Sequence, residues 1–182
     1  MRRAVFFDRD GTLNRAVVRD GLPYPPASAA EVQIVPDAPS GLARLKEAGF
    51  LLVVVTNQPD VARGRQSRTE AEAIQAAVRE ALPLLDDLFA CYHDDADGCN
   101  CRKPKPGMLL EAAAKHSINL SRSFVVGDSW RDVDAGAAAG CKTILIDCDY
   151  RDRLPEHPPD TLAGSLGAAV YWILHESLAV SP

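Results

Sequence analysis

No apolar run in this 182-residue sequence approaches the roughly 20 residues that a membrane-spanning helix needs. The strongly apolar runs at 50–55 and 143–146 instead have the length of buried strands. Aromatic residues make up only 6% of the chain, and 20 basic residues face 25 acidic ones, which gives a net charge of −5. Nucleic acids and anionic lipids bind basic surfaces, and single strands also need aromatic platforms. The sequence therefore predicts neither a nucleic-acid partner nor a membrane partner.

Cysteine is scarce and unevenly placed. Of the five cysteines, Cys91, Cys99 and Cys101 lie within eleven positions, a grouping that favours a metal site over disulfides in a cytosolic chain. Cys141 and Cys148 flank an apolar run and are predicted to be inert core thiols. The first strand-like run begins at Ala4, so we expect no removable signal peptide and a cytoplasmic location.

Strand-like and helix-like patterns alternate along the whole chain. With 47% hydrophobic and 25% charged residues, this alternation predicts one α/β domain over 1–182 with a doubly wound parallel sheet and helices on both faces. Asp37 is a candidate N-cap, and residues 14–35 and the proline-rich stretch before the last helix read as loops. The predicted strands are 4–7, 51–55, 88–92, 123–126 and 143–146, and the predicted helices run from 38 to 49, from a cap at Ser67 or Thr69 to 85, and over 108–116, 131–139 and 166–178.

Polar residues come directly after three of these strands. Asp8 follows the first strand, Thr56 and Asn57 follow the second, and Asp128 follows the fourth, so a parallel sheet would bring them to one edge, where ligands bind. A pair of carboxylates such as Asp8 and Asp10 suits a hard cation, although an isolated pair is as often an aspartate-rich turn. Asp128 on another strand favours magnesium, and the Thr56 hydroxyl and the Lys103 charge suit phosphate oxygens. The edge is therefore predicted to bind a metal and a phosphate.

These segments form four motifs that follow one another along most of the chain. In their residues and their order they resemble the four motifs of the haloacid dehalogenase (HAD) superfamily. The resemblance implies a Rossmann-like HAD fold without a large cap domain, and a magnesium-dependent phosphatase that forms an aspartyl-phosphate. The motif residues are Asp8-Arg9-Asp10-Gly11-Thr12, Thr56-Asn57-Gln58, Lys103 before Pro104, and Gly127-Asp128 with Asp132.

The same resemblance implies a role for each matching residue. Asp8 is expected to be the nucleophile and Asp10 the general acid and then the general base. The Asp8 carboxylate, the Asp10 carbonyl oxygen and Asp128 are expected to hold Mg²⁺, while Thr56 and Lys103 brace the phosphoryl oxygens. Asp132 is expected either to orient Lys103 or a metal-bound water, or simply to be a carboxylate in the first turn of a helix.

A second constellation predicts a structural zinc site in a loop at about 91–103. Cys91, His93, Cys99 and Cys101 offer three thiolates and one imidazole, which fill a tetrahedral zinc site and leave no open position. The alternative is a chance run of cysteines beside a loop histidine. Zinc would fix the polar stretch 94–98 and present Arg102 and Lys103 directly after the last ligand.

Within the superfamily, the zinc loop running into Cys-x-Cys-Arg-Lys-Pro resembles the D-glycero-D-manno-heptose-1,7-bisphosphate 7-phosphatases. That resemblance implies removal of the 7-phosphate in the synthesis of lipopolysaccharide core precursors, with substrate contacts at Asn57, Arg63 and Arg102. Histidinol-phosphate phosphatase, another small sugar-phosphate phosphatase and an inactive zinc-stapled binding module are the alternatives. The expected enzyme is a monomer.

Two departures from that branch bear on how the substrate's second phosphate is held. Pro59-Asp60 replaces a small residue and glycine, and Ser129 stands where lysine is common. The sequence offers four arginines as compensating cations, although each is individually more typical of a solvated surface; they are Arg15, Arg19, Arg63 and Arg65.

Overall fold

The computed structural model describes residues 1–150 and 152–179 and is built on a six-stranded sheet in which all neighbouring strands run parallel. The order across the sheet is β5-β4-β1-β6-β7-β8, and β2 and β3 form a separate antiparallel hairpin. The strands are β1 (Ala4–Phe7), β2 (Val17–Arg19), β3 (Leu22–Tyr24), β4 (Leu51–Asn57), β5 (Asp87–Cys91), β6 (Phe124–Gly127), β7 (Lys142–Ile146) and β8 (Thr161–Ala163).

Within the described residues, five α-helices cover the two faces of this sheet. One hydrophobic core contains side chains of α1, α2 and α5, and the other contains side chains of α3 and α4. The strands supply both cores alternately, as Val5 and Phe7 face the first core while Ala4 and Phe6 face the second. This confirms the predicted doubly wound α/β fold. The helices are α1 (Ala38–Glu47), α2 (Arg68–Ala81), α3 (Gly107–His116), α4 (Trp130–Ala139) and α5 (Leu166–Ala179).

Local signals placed most of these elements correctly. Of the two predicted caps, Ser67 is the one that caps α2, and it forms a reciprocal capping box with Glu70. The helix ends at Ala81, earlier than the predicted 85, and the chain turns so that the main-chain N–H of Asp86 bonds to Leu52. β1 is wholly buried on both faces, which explains its continuous apolar run.

Three local predictions were wrong. The 14–35 segment was predicted to be a loop but contains the β2–β3 hairpin, whose turn uses Asp20 and Gly21 at positive φ. β8 lies in the segment predicted to be a proline-rich loop, and it adds a sixth strand at the edge of the sheet. The Asp37 side chain does not cap α1 but accepts a hydrogen bond from the N–H of Gly167 in the first turn of α5.

The sheet order determines where a ligand binds. β1 lies between β4 and β6, so the residues after these three strands meet at one edge. Within the described ranges, no helix has the length and apolarity that crossing a bilayer requires.

Candidate active site and metal centres

A cleft of about 320 Å³ opens at the carboxyl edge of β1, β4 and β6. Asp8, Asn57 and Asp128 line it from the three strand ends, as the sequence predicts. Residues 22–25 of the β2–β3 hairpin segment form another part of its wall. The cleft therefore lies between the sheet edge and a small hairpin.

Lys103 is a buried cation that lines this cleft. Its Nζ lies 2.6 Å from Asp8 Oδ1, 2.5 Å from Asp132 Oδ1 and 2.8 Å from the Val55 carbonyl oxygen. Burial alone would lower the pKa of Lys103, but Asp132 and Asp8 outweigh it and hold the pKa above its ordinary value. Lys103 therefore stays positively charged beside Asp8. Asp132 also accepts a hydrogen bond from the N–H of Ser129, so it orients Lys103 and caps α4 together.

Asp8 lies among several charges. Burial is the main cause that raises the pKa of Asp8 to about 7. The positive charge of Lys103 lowers this pKa, and repulsion from Asp132 and Asp10 raises it further. A divalent cation at this position would favour the ionised carboxylate, which is the nucleophilic form.

The Asp10 carboxylate is fixed by side chains that sequence reasoning did not identify. Arg9 donates to it from Nε at 3.1 Å and from Nη2 at 2.7 Å, Asn14 donates at 3.0 Å, and Gln58 donates at 2.9 Å. Arg9 is fully buried, which is unusual for an arginine. Its position between the two motif aspartates was visible, but its burial was not.

Thr56 and Asn57 at the end of β4, and Gln58 directly after it, bond to each other, to Lys103 and to Asp10. The Asn57 side chain donates to the Lys103 carbonyl oxygen at 3.0 Å and accepts from the Lys103 N–H at 3.1 Å. Thr56 Oγ1 is buried and accepts a hydrogen bond from Gln58. Asn57 and Gln58 line the cleft, whereas Thr56 is not among its lining residues. Substrate contacts at Thr56 and Asn57 stay predictions.

The carboxylates of Asp8, Asp128 and Asp132 offer oxygen atoms within 4.8 Å of one another. Asp128 Oδ2 is buried and has no hydrogen-bond partner. Burial and the charges of Asp8 and Asp132 raise the pKa of Asp128 well above its usual value. A Cβ at Gly11 would lie 1.7 Å from this oxygen, so only glycine fits beside it. An unpartnered oxygen among crowded carboxylates fits a hard divalent cation.

The second donor cluster consists of Cys91, His93, Cys99 and Cys101, as the sequence predicts. The Sγ atom of Cys91 lies 3.7 Å from that of Cys99 and 2.9 Å from that of Cys101, and His93 Nδ1 lies 3.3 Å from Cys101 Sγ. Ligands of a tetrahedral zinc ion are separated by roughly 3.8 Å, so the donors are near the required spacing. Burial opposes ionisation of Cys99, but hydrogen bonds from the Arg102 N–H and the neighbouring thiols lower its pKa to about 7.

The cysteine–histidine loop is tied to the cleft by ion pairs. Arg63 contacts Asp94 with Nε at 2.8 Å and Nη2 at 2.6 Å. Arg102 Nε contacts Asp95 at 2.7 Å. Both arginines line the cleft. Arg63, which we predicted to bind substrate, is already bonded to Asp94 through two nitrogen atoms. Its contact with substrate stays a prediction.

Fold and site together define a hydrolase of the HAD class, with a buried lysine beside the aspartate after the first strand. Residues 100–169 match the family model described as HAD-hydrolase-like. A Thermosynechococcus vestitus protein named D-glycero-D-manno-heptose-1,7-bisphosphate 7-phosphatase is 34% identical over 94% of this chain and 95% of its own length. A Pasteurella multocida protein named D-glycero-β-D-manno-heptose-1,7-bisphosphate 7-phosphatase is 37% identical over 80% of this chain and 82% of its own.

A solved structure gives the same result. The D,D-heptose 1,7-bisphosphate phosphatase of B. bronchiseptica, crystallised with magnesium and phosphate, superposes with a TM-score of 0.79 at 32% identity over 96% of this chain and 99% of that one. The chain therefore belongs to the D-glycero-D-manno-heptose-1,7-bisphosphate 7-phosphatase family of HAD-like hydrolases.

Proposed function

We propose that this enzyme removes the 7-phosphate of D-glycero-D-manno-heptose 1,7-bisphosphate in the synthesis of lipopolysaccharide core precursors. The observation that carries the proposal is the contact of Lys103 Nζ with both Asp8 and Asp132 at the end of β1. The names of the relatives and of the B. bronchiseptica structure support the sugar.

In the first half-reaction an Asp8 oxygen attacks phosphorus, and the bond between phosphorus and the sugar oxygen breaks. Asp10 gives its proton to the departing sugar oxygen. In the second half-reaction Asp10 takes a proton from water, whose oxygen attacks phosphorus, and the bond between phosphorus and Asp8 breaks to release inorganic phosphate. Lys103 stabilises the negative charge near Asp8, and Arg9, Asn14 and Gln58 keep Asp10 aimed at the reacting oxygens.

Asp8, Asp128 and the carbonyl oxygen of Asp10 would hold Mg²⁺. The cation would offset charge on the phosphoryl oxygens. The unpartnered Oδ2 of Asp128 supports this assignment.

Cys91, His93, Cys99 and Cys101 would hold a structural Zn²⁺, because four protein ligands leave no position for substrate. Through Arg63–Asp94 and Arg102–Asp95, an ordered loop would keep one wall of the cleft in place. The proposal also includes a cytoplasmic monomer with one domain, and all the residues used above belong to one chain.

A substrate panel tests this function. Purified enzyme with Mg²⁺ is assayed on the heptose bisphosphate, histidinol phosphate and other phosphorylated sugars, and we expect the highest kcat/KM on the heptose bisphosphate. Asp8→Asn should lower kcat by more than about a thousandfold without unfolding the protein. A preference for histidinol phosphate would overturn the substrate, and turnover by Asp8→Asn would overturn the nucleophile.

A further inference from the structure

A second cavity, of about 400 Å³, lies beside the cleft, and Gly11 and Tyr150 are among the residues that line it. Asp128 lines the cleft itself. A Cβ at Gly11 would lie 1.7 Å from Asp128 Oδ2 and 3.1 Å from Tyr150 Oη, so these two oxygens are neighbours. Tyr150 therefore reaches from the second cavity to the Asp128 carboxylate.

The Tyr150 hydroxyl is suited to donate to this carboxylate. Burial and the negative charge of Asp128 raise the pKa of Tyr150 above its ordinary value, so the O–H proton is retained. Asp128 Oδ2 is buried and has no hydrogen-bond partner among the described residues. The sulfur of Cys148, which lines the same cavity, is only a weak acceptor, so the carboxylate is the better partner for the hydroxyl.

The chain holds Tyr150 in this place from both sides. Before it, Asp149 has a positive φ of 54°, and its N–H donates to Asp147 Oδ1 at 3.2 Å in a tight turn. After it, the N–H of Glu156 donates to Asp134 Oδ1 at 2.9 Å, and Asp134 belongs to α4. Because α4 begins two residues after Asp128, the segment that carries Tyr150 is tied to the helix that follows Asp128.

We propose that Tyr150 is a positioning residue for the magnesium ligand Asp128, and that its hydroxyl donates to the carboxylate and keeps it directed at the cation. This inference rests on the proposed function, which places Asp128 among the Mg²⁺ ligands. A carboxylate has about four lone-pair sites, so Asp128 can accept from Tyr150 and bind a cation together. Carboxylates that bind metals are themselves hydrogen-bonded, and the loss of such a partner lowers metal affinity by about 10–100-fold. Tyr150 lies outside all four sequence motifs.

The test removes the hydroxyl and measures the binding of Mg²⁺ alone. Wild type, Tyr150→Phe and Tyr171→Phe are dialysed free of Mg²⁺ and titrated with it in differential scanning fluorimetry, which gives both the Tm without Mg²⁺ and the Kd for Mg²⁺. Tyr171 is the matched control, since it is exposed on α5 and is not among the residues that line either cavity. Tyr150→Phe should raise the Kd for Mg²⁺ by about 10–100-fold, and Tyr171→Phe should keep the wild-type Kd.

Steady-state kinetics supply an independent measurement, because the Mg²⁺ concentration that gives half-maximal kcat should rise in Tyr150→Phe by a similar factor. A tyrosine that only supports the fold would lower the Tm without Mg²⁺ and leave the Kd unchanged, and that result would overturn this inference alone. Asp128→Asn separates this failure from that of the proposed function. If Asp128→Asn binds Mg²⁺ as tightly as wild type, the proposed metal site is wrong and this inference falls with it.

Discussion

At the residue scale, Asn57 shows how the end of a strand positions a buried lysine in another segment. Both polar atoms of its side-chain amide bond to the main chain of Lys103, 46 residues away. The lysine side chain then has three oxygen partners, Asp8, Asp132 and Val55. Asn57 therefore fixes where the Lys103 charge lies without having to touch substrate itself.

Replacing Asn57 with alanine tests this positioning role. The loss of two hydrogen bonds should lower the free energy of unfolding by about 1–3 kcal/mol and lower kcat by about tenfold or more, because Lys103 is no longer held in register with Asp8. Urea unfolding and steady-state kinetics measure the two effects. Asn119→Ala, which removes an exposed hydrogen bond from Ser121, should leave kcat at the wild-type value. An unchanged kcat in Asn57→Ala would contradict the role.

The sequence predicted the residues whose chemistry is carried by a motif. Asp8 and Asp128 were predicted from their places at strand ends, and the cysteine–histidine cluster was predicted from its spacing. The structure brings the residues of each group together as expected. Arg9 was not predicted as a site residue. Whether an arginine is buried or paired depends on side chains far away in sequence, so no local pattern reveals it.

At the scale of elements, α4 approaches the sheet closely because of one glycine. A Cβ at Gly136 would lie 2.6 Å from Thr143 Cγ2 and 3.0 Å from Val125 Cβ. Those neighbours belong to β7 and β6, so this contact sets the separation between α4 and the sheet. The helix carries Arg131 and Asp132 at its other end, and its position therefore affects the cleft.

Gly136→Ala should be destabilising. Alanine would favour the helix by about 1 kcal/mol, but overpacking against two strands should cost more, leaving a net loss of about 1–2 kcal/mol. Thermal and urea unfolding measure it. Gly164→Ala is the matched control, since a Cβ there has no atom within 4 Å. A gain of stability in Gly136→Ala would show that α4 moves away without cost.

The cysteine–histidine loop is the second element whose order matters to the site. Cys99→Ser should reduce the zinc content from about one ion per chain and make 94–98 sensitive to protease. Because Asp94 and Asp95 hold Arg63 and Arg102, KM should rise as well. Elemental analysis, limited proteolysis and kinetics are the measurements.

Cys141→Ser is the control, since Cys141 lies outside the donor cluster. It should retain the zinc. Equal zinc content in both cysteine variants would contradict the assigned ligands.

The end of α3 is joined to the start of β5 by a pH-sensitive contact. Asp87 accepts from Lys115 at 2.7 Å and from His116 at 2.6 Å. Burial would raise the pKa of Asp87, but these two donors outweigh it and lower the pKa below its usual value. A carboxylate with a lowered folded-state pKa contributes stability above its unfolded-state pKa and loses that contribution as pH falls through the folded-state value.

Asp87→Asn should therefore lower stability near neutral pH but much less in acid. The difference in unfolding free energy between wild type and variant is measured by urea unfolding at about pH 7 and at about pH 3. This difference should be smaller at the lower pH. A difference that stays constant over this range would show that the charge of Asp87 does not contribute.

Elements with strong apolar periodicity were predictable, and short irregular ones were not. β4 has a long apolar run and α2 has a capping box, whereas β8 has three residues and follows a proline-rich segment. β8 pairs with β7 through main-chain hydrogen bonds, which leave little trace in a three-residue sequence. The β2–β3 hairpin had the same disadvantage, although Asp20-Gly21 was a usable turn signal.

At the scale of the whole molecule, β1 lies inside the sheet between β4 and β6, and both cores meet at it. Burial of β1 between the cores fixes its end, where Asp8 lies beside Asp128 and Asp132. Mutual repulsion among these carboxylates is a cost that the charge of Lys103 partly offsets. Ligands that complete this charge balance should therefore stabilise the entire fold.

Mg²⁺ with beryllofluoride, which mimics a phosphoryl group on an aspartate, should raise the Tm of the protein. A ligand that binds only the folded state at about 100 times its Kd adds about 2.7 kcal/mol, which corresponds to roughly 5–10 °C for a chain of this size. Differential scanning fluorimetry with Mg²⁺ alone, with beryllofluoride alone and with both measures the shift. Asp8→Asn should lose the response to the combination, because the amide cannot take the place of the carboxylate. A full shift in that variant would mean that the anion binds elsewhere, and Asp8 would then not be the residue that accepts the phosphoryl group.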